Sequence, residues 1–110
     1  MEIIYLSGPY SSNPELNTKI AIREAMKLIK RGYLVIIPHL MKYCDEEDPQ
    51  DYEFWLNYVC KWIPRCGVLI RLDGHSPGAE KEVEIAKQLK KPIYKSVEDF
   101  LERKKDKSER

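Results

Sequence analysis

Glu82 is an acid where the local pattern calls for an apolar side chain. It closes the run Ser76-Pro77-Gly78-Ala79-Glu80-Lys81-Glu82, in which Ser76 and Pro77 are cap and first-turn signals for a helix extending to about residue 91. At roughly 100° per residue, Ala79, Val83, Ala86 and Leu89 fall on one apolar arc. Glu82 falls inside that arc. Glu80 and Glu84 project from the opposite side near Lys81, Lys87 and Gln88, where charge is solvated. A core-facing carboxylate must be neutral, paired or turned toward a cavity. Pairing would mean a buried salt bridge to a Lys or Arg. A cavity would give a carboxylate suited to attack a sugar carbon or to stabilise an oxocarbenium-like centre. No second carboxylate is evident beside it, so a paired-acid glycosidase fits only where the leaving group departs easily, as a nucleobase does.

Other residues can be placed around Glu82. Ser76 and Gly78 flank the helix start, where free N–H groups and the helix dipole favour an anion such as phosphate, although a simple N-cap also explains Ser76. Tyr5 lies in the first apolar run, and a buried tyrosine hydroxyl needs a partner that a carboxylate across the cleft can supply. Gly8-Pro9 permits close backbone approach by a ligand or simply makes a turn. Asp73, His75 and His39 are ligand candidates that loop chemistry explains equally well. Cys44, Cys60 and Cys66 are odd in number and lack C-x-x-C spacing, and neither histidine has a partner at ligand spacing. Free thiols, no metal and no cofactor are expected.

The elements that must hold these residues follow from the apolar runs. Residues 2–7 and 33–37 are short, continuous and rich in β-branched residues, as are residues 67–72, and a brief fourth strand covers 92–94. Between them lie helical patterns. Ser11-Ser12-Asn13-Pro14 starts one that buries Ala21, Ile22, Ala25, Met26 and Ile29 and stops at Gly32. Asp51 starts a second with Phe54, Trp55, Tyr58, Val59 and Trp62, and Ser96-Val97-Glu98-Asp99 starts a last one with a capping-box pattern. The acidic, proline-containing segment 41–50 reads as a loop or lid. The βα alternation predicts a single-domain three-layer α/β/α sandwich of the flavodoxin or Rossmann type, with a parallel sheet of four to five strands. Ligands of such sheets bind at the carboxyl ends of the strands, which gathers residues 8–13, the segment after Pro38 and residues 73–78 around one pocket.

Composition narrows the setting. One domain is expected from 110 residues, over residues 1–100, with a charged and solvated tail at 101–110. A net charge of +1 from 19 basic and 18 acidic residues gives no electrostatic reason for a nucleic-acid partner. No apolar run reaches the length of a membrane span, and no signal-peptide pattern precedes the first strand, so a cytoplasmic protein without membrane association is expected.

Three segments together resemble the nucleoside 2-deoxyribosyltransferase superfamily, including its deoxynucleoside 5'-monophosphate N-glycosidase branch. They are Ile4-Tyr5-Leu6-Ser7-Gly8-Pro9, Ile37-Pro38-His39-Leu40 and the stretch from Ser76 through Ala86. The resemblance implies that Glu82 attacks C1' of the sugar, that Tyr5 orients it, and that Ser76 and Gly78 hold a 5'-phosphate. The nucleoside-transferring members tend to have an aspartate where this chain has Ser76, so the serine favours nucleotides. The acid that assists base departure in the branch has no clear counterpart, since Asn57 and Tyr58 stand in its neighbourhood and Asp51 lies upstream. The loop Tyr10-Ser11-Ser12-Asn13 lacks the basic residue that the nucleotide hydrolases often carry. The resemblance also implies a homodimer or higher homo-oligomer, for which the aromatic helix around Trp55, Tyr58 and Trp62 offers an interface. The expected activity is cleavage of the N-glycosidic bond of a (deoxy)nucleoside or nucleoside 5'-monophosphate, by hydrolysis or base transfer. Its rival is a nucleotide-binding or sensing module without turnover. A phosphoacceptor receiver domain shares the βα order, but strand one ends in Ser7-Gly8 rather than a metal-holding acidic pair.

Overall fold

The computed structural model describes residues 2–108, with side-chain environments through Lys104. Four short strands, β1 (Ile3–Ser7), β2 (Leu34–Ile36), β3 (Val68–Arg71) and β4 (Ile93–Tyr94), form one sheet in the order β2-β1-β3-β4. All pairs are parallel: Ile4 lies opposite Val35 on one side and opposite Val68 on the other, and Leu69 opposite Ile93. The five helices are α1 (Pro14–Ile29), α2 (Met41–Glu47), α3 (Tyr52–Cys60), α4 (Pro77–Gln88) and α5 (Val97–Ser108). The protein is thus a flavodoxin- or Rossmann-like α/β domain, as the alternating pattern predicts.

The period of two along β1 and β3 divides the core. Ile4, Leu6, Val68 and Ile70 face α1 and α5, where Ala21, Ala25, Leu28, Val97 and Phe100 complete a buried cluster. Tyr5 and Leu69 face the other way, onto Val59, Ile63, Val83 and Ala86. The chain leaves β1 toward α1 on one face and β2 on one side, and leaves β3 toward α4 on the opposite face and β4 on the other side. The connections therefore diverge between the carboxyl ends of β1 and β3, which opens a crevice there.

Several local details differ from the pattern-based reading. α1 presents Thr18, Ala21, Ala25 and Leu28 to the sheet, while Met26 and Ile29 are exposed and Ile22 is half-buried. Three of those four are small residues, which on a buried stripe allow a helix to pack closely on a sheet. Segment 41–50 is not wholly a loop, because its first seven residues form α2, which buries no side chain. Its many charges obscured a helix that has no core-facing stripe to reveal it. α4 stops at Gln88 and leaves Leu89 exposed, because Lys90 turns to a φ of 58° and Lys91 N–H closes the helix onto the Ala86 carbonyl at 2.9 Å. α5 continues past residue 100, with Leu101 packed against the core and Lys104 reaching Glu2 at 2.8 Å, and residues 109–110 lie outside those described. Among the described residues no helix is long and apolar enough to cross a membrane.

Candidate active site

β1 and α4 build the centre of the site. Tyr5 and Ser7 are two apart on β1 and so project from the same face. α4 is capped by the Ser76 hydroxyl, which accepts the Ala79 N–H at 3.1 Å, and Pro77 occupies the first turn. One further turn along, the inward arc brings Glu82 over the two β1 side chains. Tyr5 donates its hydroxyl to Glu82 Oε2 and Ser7 donates to Oε1, both at 2.6 Å. Glu82 is only 7% exposed, and Tyr5 and Ser7 are completely buried.

The environment of Glu82 pulls in two directions. Burial raises its pKa above the usual glutamate value, and the hydroxyls of Ser7 and Tyr5, with the more distant Arg71 guanidinium, oppose the rise. Arg71 is not a salt-bridge partner of Glu82, since its guanidinium binds the Gly74 carbonyl at 2.8 Å and pairs with Glu80 at 3.0 Å. Burial and the neighbouring carboxylate push the Tyr5 phenol pKa far up, so Tyr5 remains a donor. Two O–H donors leave each carboxylate oxygen with an unused lone pair. Such a group is held in place, partly desolvated and still able to attack.

A cavity of about 790 Å³ opens at this point, and Glu82 is part of its lining. The loop after β1 contributes Gly8, Tyr10, Ser11 and Ser12; the segment after β2 contributes His39, Met41, Lys42 and Asp45. α3 adds Tyr52, Trp55, Leu56 and Val59, and the start of α4 adds Ser76, Gly78 and Lys81. The expected gathering of three strand ends around one pocket is therefore what the fold produces.

Each candidate residue now has a place. Gly8, His39, Ser76, Gly78 and His75 line the cavity with Glu82. Pro9 and Asp73 do not. Pro9 works indirectly: its carbonyl meets His39 Nε2 at 3.0 Å, and its ring packs where Gly74 has no Cβ. Asp73 sits exposed on the turn into Gly74, whose φ is 117°, and the cavity lining resumes only at His75. Tyr5 lies beneath the cavity and touches it only through Glu82. His39 is 4% exposed and burial lowers its pKa, so the ring is neutral. A carbonyl can only accept, which puts the proton on Nε2 and leaves the buried Nδ1 as an acceptor with no partner among the described residues.

The first turn of α4 offers less to an anion than a generic helix start. Pro77 has no N–H, and the N–H groups of Ala79 and Glu80 are taken by the Ser76 hydroxyl and carbonyl. The Gly78 N–H and the Ser76 O–H remain. Lys81 is a cavity wall residue one turn further on, and among the described residues it makes no ion pair. Lys42 lies on another wall and pairs with Glu46 at 3.0 Å. Gly78 also admits Tyr52, because a Cβ there would stand 2.6 Å from the tyrosine oxygen.

Sequence reasoning missed Ser7, Lys42, Asp45, Tyr52 and Lys81 as site residues. Ser7 was detectable, being two positions from Tyr5 on the same strand. Lys81 falls with its neighbours on the solvent side of a helical wheel, which cannot distinguish water from a wide cavity mouth. The other three depend on how α2 and α3 fold over the sheet. Among the described residues no cluster of three or more His, Cys, Asp or Glu side chains is placed to hold a metal ion.

The chain belongs to a family described as "Domain of unknown function (DUF7768)", whose sequence model matches residues 2–96. That span contains all four strands, helices α1 to α4 and every residue of the cavity. No curated protein matches the chain.

Proposed function

We propose that this chain cleaves the N-glycosidic bond of a (deoxy)nucleoside or nucleoside 5'-monophosphate, with Glu82 as the nucleophile. The observation that carries this reading is a buried carboxylate in the lining of a ligand-sized cavity, fixed through both oxygens by hydroxyl donors at 2.6 Å. A buried salt bridge would quench the charge of the carboxylate, whereas hydroxyls orient the group without quenching it. Glu82 forms a bond to C1' as the C1'–N bond breaks, and the bonding electrons leave with the base nitrogen. Partial desolvation makes the carboxylate a better nucleophile than one in water. Water, or a second base, then attacks C1' and gives its proton to the released base, and the C1'–O bond to Glu82 breaks to regenerate the carboxylate. The Tyr5 and Ser7 hydroxyls hold the departing negative charge on Glu82 in that second step.

Nucleotides are the favoured substrates. The Gly78 N–H, the Ser76 hydroxyl and Lys81 form a short anion-binding edge near Glu82, and Lys81 provides the cation that the loop after β1 lacks. The exposed aromatic edge formed by α3 and the turn after it, where Phe54, Tyr58 and Trp62 are 49%, 40% and 38% exposed, supports a homodimer, while Trp55 turns to the cavity instead. The setting that fits this chemistry is the cytoplasm.

The test is a panel of nucleosides and nucleoside 5'-monophosphates, ribo and deoxy, incubated with the protein and analysed for free base by chromatography. The reading predicts base release from at least one nucleotide and its loss in Glu82→Ala. No base from any member refutes the activity, and full activity in Glu82→Ala refutes the role of Glu82.

A further inference from the structure

We infer that Asp45 reads the base: its free carboxylate oxygen accepts a hydrogen bond from an exocyclic amino group, so the cavity prefers amino-bearing bases over their keto counterparts. This inference rests on the nucleotide reading above and assigns a role that the reading leaves empty. Asp45 stands on α2 in the cavity lining, on the segment that follows β2, whereas Glu82 is on α4 after β3. One of its oxygens is fully used. Oδ1 accepts the Trp55 indole N–H at 2.6 Å and the Gln50 backbone N–H at 2.9 Å. Among the described residues no group binds Oδ2.

Two donors on one oxygen fix the plane and direction of the carboxylate, so the other is presented as a preset acceptor. The same two bonds lower the Asp45 pKa, which keeps the group ionised and unable to donate. An acceptor-only group distinguishes N–H from C=O more sharply than a hydroxyl or amide, which can do either. The surrounding surface suits a flat ring. Tyr10, Tyr52 and Trp55 all line the cavity, with Met41 and Leu56 beside them. The chemical class is therefore a planar heterocycle with an amino group on the edge remote from its sugar, as in adenine or cytosine.

Asp45→Asn isolates this role. The amide oxygen retains both bonds from Trp55 and Gln50, while an NH₂ donor replaces the free acceptor. α2 buries no side chain, so the substitution leaves the core untouched. Titration calorimetry with 2'-deoxyadenosine and 2'-deoxyinosine 5'-monophosphates reads the preference directly. Repeating it with Glu82→Gln in both chains prevents base release during the measurement. The wild type is expected to favour the amino nucleotide by about tenfold, the worth of one hydrogen bond to a charged acceptor, and Asp45→Asn to abolish or reverse that ratio. A structural latch alone would leave the ratio unchanged in Asp45→Asn. An unchanged ratio, or a wild type without preference, overturns the inference. If base is still released in a Glu82-dependent way in that case, the proposed activity stands without it. Binding of neither nucleotide, nor of the 2'-deoxycytidine and 2'-deoxyuridine 5'-monophosphates titrated alongside them, overturns the inference, and the base-release panel then decides the proposed activity by itself.

Discussion

Tyr5→Phe removes one oxygen and leaves the ring in place, so its effect isolates the bond to Glu82. In the native chain that bond is an O–H···O contact of 2.6 Å between two residues that are 0% and 7% exposed. A hydrogen bond to a charged group is worth about 1.5–3 kcal/mol, against about 0.5–1.5 kcal/mol for a neutral pair. The loss should therefore depend on the ionisation of Glu82. Its pKa is already raised by burial, and removal of a donor that opposes the rise moves it further up. The unfolded value is unaffected. Because the folded acid binds its proton more tightly than the unfolded one, wild-type stability from this group falls as pH rises from the ordinary glutamate range through the raised value. The variant falls more, and over a wider window. Urea unfolding at about pH 5 and about pH 8 should show the wild-type-to-variant difference growing toward about 1.5–3 kcal/mol at the higher pH. Other titrating groups cancel in that difference. An equal loss at both pH values, or a larger one at the lower pH, would refute the idea that the hydroxyl serves the carboxylate.

Three further substitutions probe neighbouring parts of the account. Glu82→Gln should lower base release by roughly 10³-fold or more, while unfolding at about pH 8 shows it as stable as the wild type or more so, since no carboxylate is then buried. Gly78→Ala puts a methyl 2.6 Å from the Tyr52 oxygen, and because Tyr52 is half exposed it can swing away. Stability should change by less than about 1 kcal/mol, with KM for a nucleotide rising more than kcat falls, as steady-state kinetics would read. Gly74→Ala combines a φ of 117° with a contact of 2.8 Å to the Pro9 ring. It should lose about 1–3 kcal/mol in denaturant unfolding and weaken ligand binding by shifting the carbonyl that holds His39.

The parts of this molecule legible in sequence were those set by short-range rules. The βα order, the Ser76-Pro77 cap and the inward place of Glu82 follow from periodicity and local stereochemistry, and the fold and the Glu82–Tyr5 contact agree with them. α1 shows where such rules fail: a wheel ranks Met26 and Ile29 above Thr18 by hydropathy, yet the sheet selects the smaller stripe to gain close approach. α2 failed for the opposite reason, since a helix with no fully buried side chain carries little periodic signature. Asp45 and Trp55 meet only because α2 and α3 fold against each other, and no spacing of ten residues signals an indole-to-carboxylate bond of 2.6 Å. The proposed anion-binding edge was half legible, because the cap was visible while the consumption of its N–H groups was not.

The claim that Glu82 is a nucleophile is tested most directly by mass spectrometry of the protein acid-quenched during turnover with a nucleotide that releases base. The account predicts a mass gain equal to one sugar phosphate, located in the α4 peptide at Glu82 and absent from Glu82→Gln. Rapid base release by Glu82→Gln, or an adduct on another residue in the wild type, would contradict it.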